Sequence, residues 1–235
     1  VGLVSLAGFG VVMVVRQADR LAMQRSQFAA AAAHELRTPL AGLQMYGEML
    51  AEGLGDPQRH QEYARRIASE AERLGRVVSN VNHFSRLERG NLSLNPQPGD
   101  LADAVTQCVE RQRATLEAAG AQLDVSIDAD VPRARFDRDA VSHIVQNLLD
   151  NAEKYTRGAA SRTIRVALQA DGDAVVLRVA DHGPGIAAKL RRTLFEPFTR
   201  GVDANAPVGL GLGLALTRAL ARAQGGDVTL ATQDG

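Results

Sequence analysis

Apolar positions in the first quarter of the chain recur with the spacing of one helix face. The pattern is helical over about residues 17–54, and from residue 36 onward the stripe advances alternately by four and three positions, which indicates an amphipathic helix. The residues of this stripe are Leu36, Leu40, Leu43, Gly47, Leu50 and Leu54. A similar pattern covers about residues 57–89, after the turn sequence "GLGDPQ". We therefore predict two long helices joined by a short turn, and stripes of this length predict a homodimeric four-helix bundle over residues 17–90.

The second half of the chain alternates between helical and strand-like patterns. A polar, proline-containing stretch, residues 91–100, predicts a linker in front of it. The elements predicted after the linker are a helix over about 101–119, strands over 121–127 and 131–137, a helix over 138–155, strands over 163–170 and 174–181, and a helix over about 209–223. The fold class is therefore α+β, a helical hairpin followed by an α/β sandwich domain over residues 101–235. We expect one sheet of mostly antiparallel strands and one layer of helices in the sandwich.

The N-terminal run "VGLVSLAGFGVVMVV" carries no charged side chain. It is shorter than the roughly 20 residues that span a bilayer, and no basic segment precedes it as in a signal peptide. Arg16, Arg20 and Arg25 follow the run, as on the cytoplasmic side of a membrane span. We interpret residues 1–16 as the end of a truncated transmembrane helix, with a buried soluble helix as the alternative. This interpretation predicts the inner, cytoplasmic membrane as the location, with the remaining residues facing the cytoplasm.

Charge and composition argue against nucleic acid as a partner. The 27 Lys and Arg residues balance the 27 Asp and Glu residues, and the chain has no tryptophan. Neither an electrostatic footprint nor a base-stacking platform for nucleic acid is therefore expected. The single cysteine, Cys108, excludes a disulfide framework and is predicted to be a buried core residue of a protein in a reducing compartment.

Two asparagines and a lysine share one face of the helix predicted over 138–155. Asn147, Asn151 and Lys154 stand at positions i, i+4 and i+7. Asparagine is a mediocre helix former, so two of them in register favour a functional role. Their carboxamide oxygens suit Mg²⁺, and the lysine suits the phosphates that usually accompany Mg²⁺. A solvated polar helix face is the alternative explanation of this pattern taken alone.

Two glycine-containing segments indicate that a ligand approaches the backbone closely. In "DHGPGI", residues 181–186, Asp181 follows a predicted strand and can accept hydrogen bonds from an exocyclic amine, although an ordinary Asp–Gly turn has the same pattern. In "GLGLGLAL", residues 209–216, alternating glycines open a helix whose first amides can bind an anion, but no Gly-Lys-Ser/Thr of a Walker A loop follows. The polar residues between "LFEPF" (194–198) and this segment predict a mobile lid, from which Arg200 can reach a terminal phosphate.

Five segments resemble, in order, the H, N, G1, F and G2 boxes of the sensor histidine kinases of two-component systems. They are "HELRTPL" at 34–40, "NLLDNAEKY" at 147–155, "DHGPGI" at 181–186, "LFEPF" at 194–198 and "GLGLGLAL" at 209–216. Each box is modest evidence alone, but five in order are highly specific, and the likeness covers about residues 20–232. It implies a hairpin for dimerisation and histidine phosphotransfer, an ATP-binding domain, ATP and Mg²⁺ as cofactors, and a response regulator receiver domain as partner.

The resemblance implies roles for three residues of the hairpin. His34 is the expected phosphoryl acceptor, and Glu35 is the expected base that orients or deprotonates its imidazole. Thr38 matches the residue that positions water for dephosphorylation of the partner. His34 is about 200° around the helix from Leu36, so it points away from the apolar stripe. Pro39 has no N–H for the carbonyl of Glu35, and we therefore expect a local bend beside His34.

For the second domain, the resemblance implies that Asn151 coordinates Mg²⁺, Asp181 binds the adenine amino group and Arg200 contacts the γ-phosphate. The remaining residues expected at the nucleotide are Asn147, Lys154, Tyr155, Gly183, Gly185, Ile186, Gly209, Gly211 and Gly213. Leu210 stands where this family commonly has a small hydroxyl residue, so one phosphate hydrogen bond is expected to be missing. The chain also ends at "ATQDG", before a last strand that we expect to complete the sheet.

The function predicted from these residues is ATP-dependent autophosphorylation of His34 and phosphoryl transfer to an aspartate of a response regulator. A phosphatase activity on the regulator is also expected. The alternative is a catalytically degenerate dimeric scaffold that binds nucleotide, or a phosphatase that acts only through Thr38. A protein-serine kinase or ATPase with the same nucleotide fold is disfavoured, because such proteins lack the helical hairpin with "HELRTP".

Overall fold

A computed structural model describes residues 2–54, 56–199 and 210–231. Its contacts divide the chain into two compact units, residues 1–81 and 82–235. Helices dominate the first unit, whereas the second contains helices and two small sheets. The predicted α+β class, a helical hairpin followed by an α/β domain, is confirmed.

Two long helices provide the first unit. Helix α1 is Gly2–Ala51, and α2 is His60–Glu88, which follows a 3-10 turn at Pro57–Arg59. Residues 2–16 and 17–51 of the two predicted N-terminal segments thus belong to one helix. The rings of Tyr46 and Tyr63 stack with centroids 5.9 Å apart, which packs α1 against α2. No helix within the described part of the chain has the length and apolar content needed to cross a membrane.

The buried face of α1 differs from the predicted apolar stripe. Among the side chains of α1 that the structure describes, Ala32, Glu35 and Pro39 are buried. Leu40 of the stripe and Leu54, beyond the end of the helix, remain 47% and 53% exposed. The stripe was inferred from hydrophobicity alone, and part of it is not the face that α2 covers. Leu40 is therefore available to a surface outside the single chain, because a large exposed apolar side chain in a periodic stripe indicates a partner.

A three-stranded sheet and two helices form the core of the second unit. The strand order is β2-β4-β5, with β2 at Gln122–Ile127, β4 at Thr163–Asp171 and β5 at Ala174–Ala180. Helices α3, Leu101–Ala118, and α4, Arg138–Thr156, contribute to the same apolar cluster as the strands. Its fully buried members include Val105, Val109, Val145, Leu149, Ile164 and Val166. The predicted burial of Cys108 is confirmed.

The prediction of a single sheet is corrected by two short strands, which form a second sheet. Strand β1, Gln97–Gly99, lies inside the predicted linker and pairs antiparallel with β3, Ala134–Phe136, to make a second sheet. A Cβ on Gly99 would lie 3.0 Å from the Phe136 ring, so this pairing depends on a close approach that glycine permits. In the larger sheet, the described strands pair in two ways: β2 is parallel to β4, and β4 is antiparallel to β5. Pairing partners far apart in sequence leave no local pattern, which is why these features were missed.

Helix α6 places the glycine-rich segment against α4. It is Gly213–Ala223, and it follows the short helix α5 at Ala188–Arg191 in the order of the described elements. Leu216 and Leu220 of α6 are buried and cluster with Ala140 of α4. Because this apolar contact fixes the side of α6, the beginning of the helix lies beside the polar residues of α4.

Candidate functional site

The asparagines of α4 border the first residue of α6. A Cβ on Gly213 would lie 3.4 Å from Asn147 Oδ1 and 3.9 Å from Asn151 Nδ2. The Nδ2 atom of Asn147 is buried and has no hydrogen-bond partner among the described residues. An unpaired buried amide is unfavourable, so it favours a ligand that accepts its hydrogen bonds. These residues fit the phosphates of a nucleotide, and their carboxamide oxygens fit a Mg²⁺ ion.

The glycine-rich segment is joined to the "LFEPF" segment through the backbone. The Phe198 N–H donates a hydrogen bond to Gly211 O at 2.9 Å. Gly211 has φ +66°, and a Cβ there would lie 2.8 Å from Thr199 O and 2.9 Å from the carbonyl carbon of Phe198. Phe198 itself has φ 65°, which is uncommon for an aromatic residue. The two segments are therefore held together at a point where only glycine fits.

Asp181 occupies the turn that follows β5. Its Oδ1 accepts a hydrogen bond from the Gly183 N–H at 2.8 Å, and the carboxylate is exposed. A Cβ on Gly183 would lie 3.3 Å from Tyr155 O, so the turn approaches the end of α4 through this glycine. The carboxylate keeps a second oxygen, which can accept from an adenine amino group. Asp181 and Tyr155 thus both approach Gly183, and their roles at a nucleotide stay a prediction.

Three further residues of the predicted site belong to this turn and to α4: Gly185, Ile186 and Lys154. Gly185 has φ +74°, and Ile186 O accepts a hydrogen bond from Arg191 Nε at 3.0 Å. The Lys154 Nζ atom lies 5.6 Å from the Tyr155 ring centroid, within the range of a cation–π contact. The Lys154 ammonium therefore lies close to the partly exposed Tyr155 ring.

Arg200 and Gly209 of the predicted site, and most of the predicted lid, lie outside the described residues. Leu210, the departure from the family pattern, is described and buried. Its side chain contributes apolar surface next to the glycine segment and cannot donate the hydrogen bond that a hydroxyl would provide.

His34 lies on the exposed side of α1. Glu35, its neighbour, is only 6% exposed, and the Thr38 hydroxyl donates to His34 O at 3.5 Å. The helix continues without interruption through Pro39, so the missing hydrogen bond to Glu35 does not end it. A hydroxyl that hydrogen-bonds four residues back often bends a helix, and the local bend stays a prediction. The imidazole is accessible to a phosphoryl donor, while the neighbouring carboxylate is held in the hairpin.

Sequence reasoning missed a histidine pair beside the asparagines. The His143 ring lies 4.6 Å from that of His83, centroid to centroid. Burial lowers the pKa of His143 to about 4, and the charge of His83 acts in the same direction. His143 stands one helical turn before Asn147, a spacing visible in the sequence, but nothing local links it to His83.

A second missed cluster surrounds Arg218 on α6. Its guanidinium carbon lies 4.8 Å from the Phe195 ring centroid, and it pairs with Asp227 beyond the end of the helix. The ring of Phe198 in turn packs edge-on against Phe84, with centroids 5.5 Å apart. Both phenylalanines of "LFEPF" are therefore held by side chains that no motif identified.

Two family models match this chain. "His Kinase A (phospho-acceptor) domain" matches residues 24–90, and "Histidine kinase-, DNA gyrase B-, and HSP90-like ATPase" matches residues 136–235. The first range contains His34, Glu35 and Thr38. The second contains both asparagines and the two glycine-containing segments.

This chain is also similar to curated proteins and to solved structures of histidine kinases. The alginate biosynthesis sensor protein KinB of Pseudomonas aeruginosa is 32% identical over 231 residues, which are 96% of this chain and 38% of KinB. The structure of the Acinetobacter baumannii histidine kinase AdeS has a TM-score of 0.61 and 25% identity, covering 85% of this chain and 91% of AdeS. The structure of full-length ShkA in complex with AMPPNP has a TM-score of 0.57 and 28% identity, covering 85% of this chain and 41% of ShkA. The chain spans less than half the length of KinB.

Proposed function

Because this chain belongs to the sensor histidine kinases of two-component systems, we propose that it phosphorylates its own His34 with ATP and transfers the phosphoryl group to an aspartate of a response regulator. The observation that carries this proposal is the close approach of Gly213 to both Asn147 and Asn151. The two carboxamides thus lie beside the backbone at the beginning of α6, and the buried amide of Asn147 has no partner within the described part of the chain.

The nucleotide is proposed to bind between α4, the Asp181 turn and the beginning of α6. Asp181 accepts from the adenine amino group, and the N-terminal amides of α6 receive the phosphates. Asn151 holds Mg²⁺, which neutralises charge on the phosphates when it is bound. The other residues proposed to line the site are Asn147, Lys154, Tyr155, Gly183, Gly185, Ile186, Arg200, Gly209, Gly211 and Gly213.

Phosphoryl transfer is proposed to begin at a ring nitrogen of neutral His34. The nitrogen attacks the γ-phosphorus, the bond to the bridging oxygen breaks, and ADP leaves with that electron pair. Glu35 orients the imidazole and accepts the proton from its other ring nitrogen, because the attack leaves the ring positively charged. In the second step a carboxylate oxygen of the regulator attacks the same phosphorus, and the N–P bond to His34 breaks.

The proposal extends to assembly and location. The segments are assigned as the end of a transmembrane helix (1–16), the dimerising phosphotransfer hairpin (17–90), a linker (91–100) and the ATP-binding domain (101–235). Exposed Leu40 and Met45 of the hairpin support a homodimer. Attachment to the cytoplasmic membrane rests on the apolar N-terminal run, and Thr38 is assigned to dephosphorylation of the regulator.

The test is incubation of the full chain with γ-labelled ATP and Mg²⁺. The expected result is acid-labile, base-stable label on the protein, which His34→Gln abolishes. His60→Gln is the matched control, because His60 is an exposed histidine of the same hairpin and should leave the labelling unchanged. Label that persists in His34→Gln would contradict the assignment. ATP binding without phosphohistidine would support the scaffold alternative instead.

A further inference from the structure

Arg218 makes two directional contacts at once. Its Cζ lies 4.8 Å from the Phe195 ring centroid, which places the guanidinium over the ring face. Its Nε and Nη2 atoms donate to Asp227 Oδ1 and Oδ2 at 2.7 and 2.9 Å, a bidentate pair. The planar guanidinium allows stacking and a two-point hydrogen bond together, which a lysine ammonium does not.

Asp227 is held as an anion by this arrangement. Hydrogen bonds from Arg218, then from Arg222, keep the pKa of the Asp227 carboxyl well below its usual range. The Arg222 donors lie at 3.1 and 3.2 Å, and the Val228 N–H adds a bond at 2.8 Å. The carboxylate therefore stays charged near neutral pH and fixes the direction of the Arg218 guanidinium.

The ring that Arg218 holds belongs to the segment that touches the glycine-rich loop. Phe195 lies three residues before Phe198, whose N–H donates to Gly211 O at 2.9 Å. Gly211 is two residues from Gly213, which borders Asn147. A short, continuous path of contacts thus leads from Arg218 through residues 195–198 to the carboxamides of α4.

We propose that Arg218 is a positioning residue for the nucleotide site, which holds Phe195, and with it residues 195–198, in register against Gly211. This inference rests on the proposed function and adds a residue to it. Arg218 has no contact with nucleotide in this proposal and acts through the ring it carries. Asp227 supports it by preventing the guanidinium from rotating away from Phe195.

A purely structural salt bridge would give a different signature. The side chains of Arg218 and Asp227 are 30% and 39% exposed, so their pairing contributes little to global stability. The effect of losing Arg218 is instead expected at the ground-state binding of ATP. Arg218→Met keeps the length of the side chain and removes the charge. It should raise the dissociation constant and KM for ATP about tenfold, while kcat at saturating ATP stays within about twofold.

Two further variants are expected to have intermediate effects on ATP affinity. Arg218→Lys keeps a cation near the ring but loses the fork, so it should weaken ATP binding by about threefold. Asp227→Asn keeps the arginine and removes its anchoring charge, so it should fall between the wild type and Arg218→Met. If Arg218→Met does not fold, these two variants carry the test.

The measurements are titration of the full chain with ATP by calorimetry, steady-state labelling of His34 and thermal melting. The matched control is Arg113→Met, because Arg113 also pairs bidentately with an exposed carboxylate, Glu110, at 2.7 Å but lies on α3. It should leave ATP affinity unchanged. Equal ATP affinity in Arg218→Met and the wild type, or a loss of kcat with KM unchanged, would overturn the inference. Absence of ATP binding by the wild type would instead overturn the proposed function.

Discussion

Gly213 lies directly against Asn147: a methyl group on this glycine would be 3.4 Å from the carboxamide oxygen of the asparagine. The two residues are far apart in sequence, on α6 and α4, and the buried Nδ2 of Asn147 has no partner among the described residues. The contact between the two residues therefore includes a buried polar group. A polar ligand beside this contact is favoured over closer apolar packing, because apolar contact cannot satisfy the amide.

Gly213→Ala should weaken ATP binding without destabilising the protein. The distance of 3.4 Å is ordinary van der Waals contact, and alanine is a better helix former than glycine, so folding is tolerated. The methyl group would occupy space beside the proposed phosphate position. We expect at least about a tenfold higher dissociation constant for ATP by calorimetry. Gly158→Ala, where a Cβ meets nothing within 4 Å, is the control, and unchanged affinity in Gly213→Ala would refute the placement of the phosphates.

Gly211→Ala should destabilise the second unit. The backbone there has φ +66°, and the new Cβ would lie 2.8 Å from Thr199 O, so both strain and a clash follow. We expect a loss of about 2–3 kcal/mol in the free energy of unfolding, measured by denaturant titration. Gly225→Ala separates the two causes, because its φ is +84° but its Cβ would meet nothing within 4 Å. Equal losses in both variants would show that the clash with residues 198–199 is unimportant.

Mild acid should destabilise the folded protein through the protonation of His143. Its pKa is about 4 in the folded protein against a reference of 6.5, so between these values the unfolded chain binds a proton that the folded chain does not. The free energy of unfolding should therefore fall as the pH drops from about 6.5 toward 4. Partial solvent access reduces the effect, and a loss of about 1–2 kcal/mol is expected. His143→Gln should flatten this part of the stability profile, and a profile unchanged in this variant would contradict the role of His143.

Leu40→Asp should dissociate the proposed homodimer. Leu40 is 47% exposed in the single chain although it belongs to the apolar stripe of α1, and a charge buried at an interface is strongly unfavourable. Sedimentation velocity should show a shift from dimer toward monomer. Ala41→Asp introduces the same charge one position away, about 100° around the helix, and should perturb the dimer less. Equal behaviour of the two variants would argue against the stripe as the interface.

Thr38→Ala should separate the two activities proposed for the hairpin. The hydroxyl bonds to the backbone of His34 rather than to the imidazole, so the nucleophile itself is preserved. We expect labelling of His34 from ATP to stay within about threefold, and dephosphorylation of the phosphorylated regulator to fall more than about tenfold. Loss of both activities together would indicate that Thr38 shapes the helix rather than positions water.

Local sequence was sufficient for the helices and for the identity of the family. The 3.6-residue period predicted α2 and α4, because one face of each must be apolar to pack. The order of five short boxes identified the family. Each box is a contiguous segment, so its helix or turn depends mainly on residues that are adjacent in the sequence. His34 was predicted to face outward from its angle to Leu36, and it is exposed.

Relations between distant segments were decided by the tertiary structure. Strand β1 pairs with β3, β2 pairs parallel with β4, and His83 lies beside His143, although no sequence period connects the members of any pair. The glycine-rich segment is a further example. Its sequence, "GLGLGL", suggested anion binding, but only the folded chain shows that Gly211 is also required by its close approach to Thr199. No sequence motif identified Arg218, whose contacts with Phe195 and Asp227 arise only in the folded chain. Periodicity determines which side of an element is buried, but only packing determines which neighbour it meets, because that depends on the contacts of the whole chain.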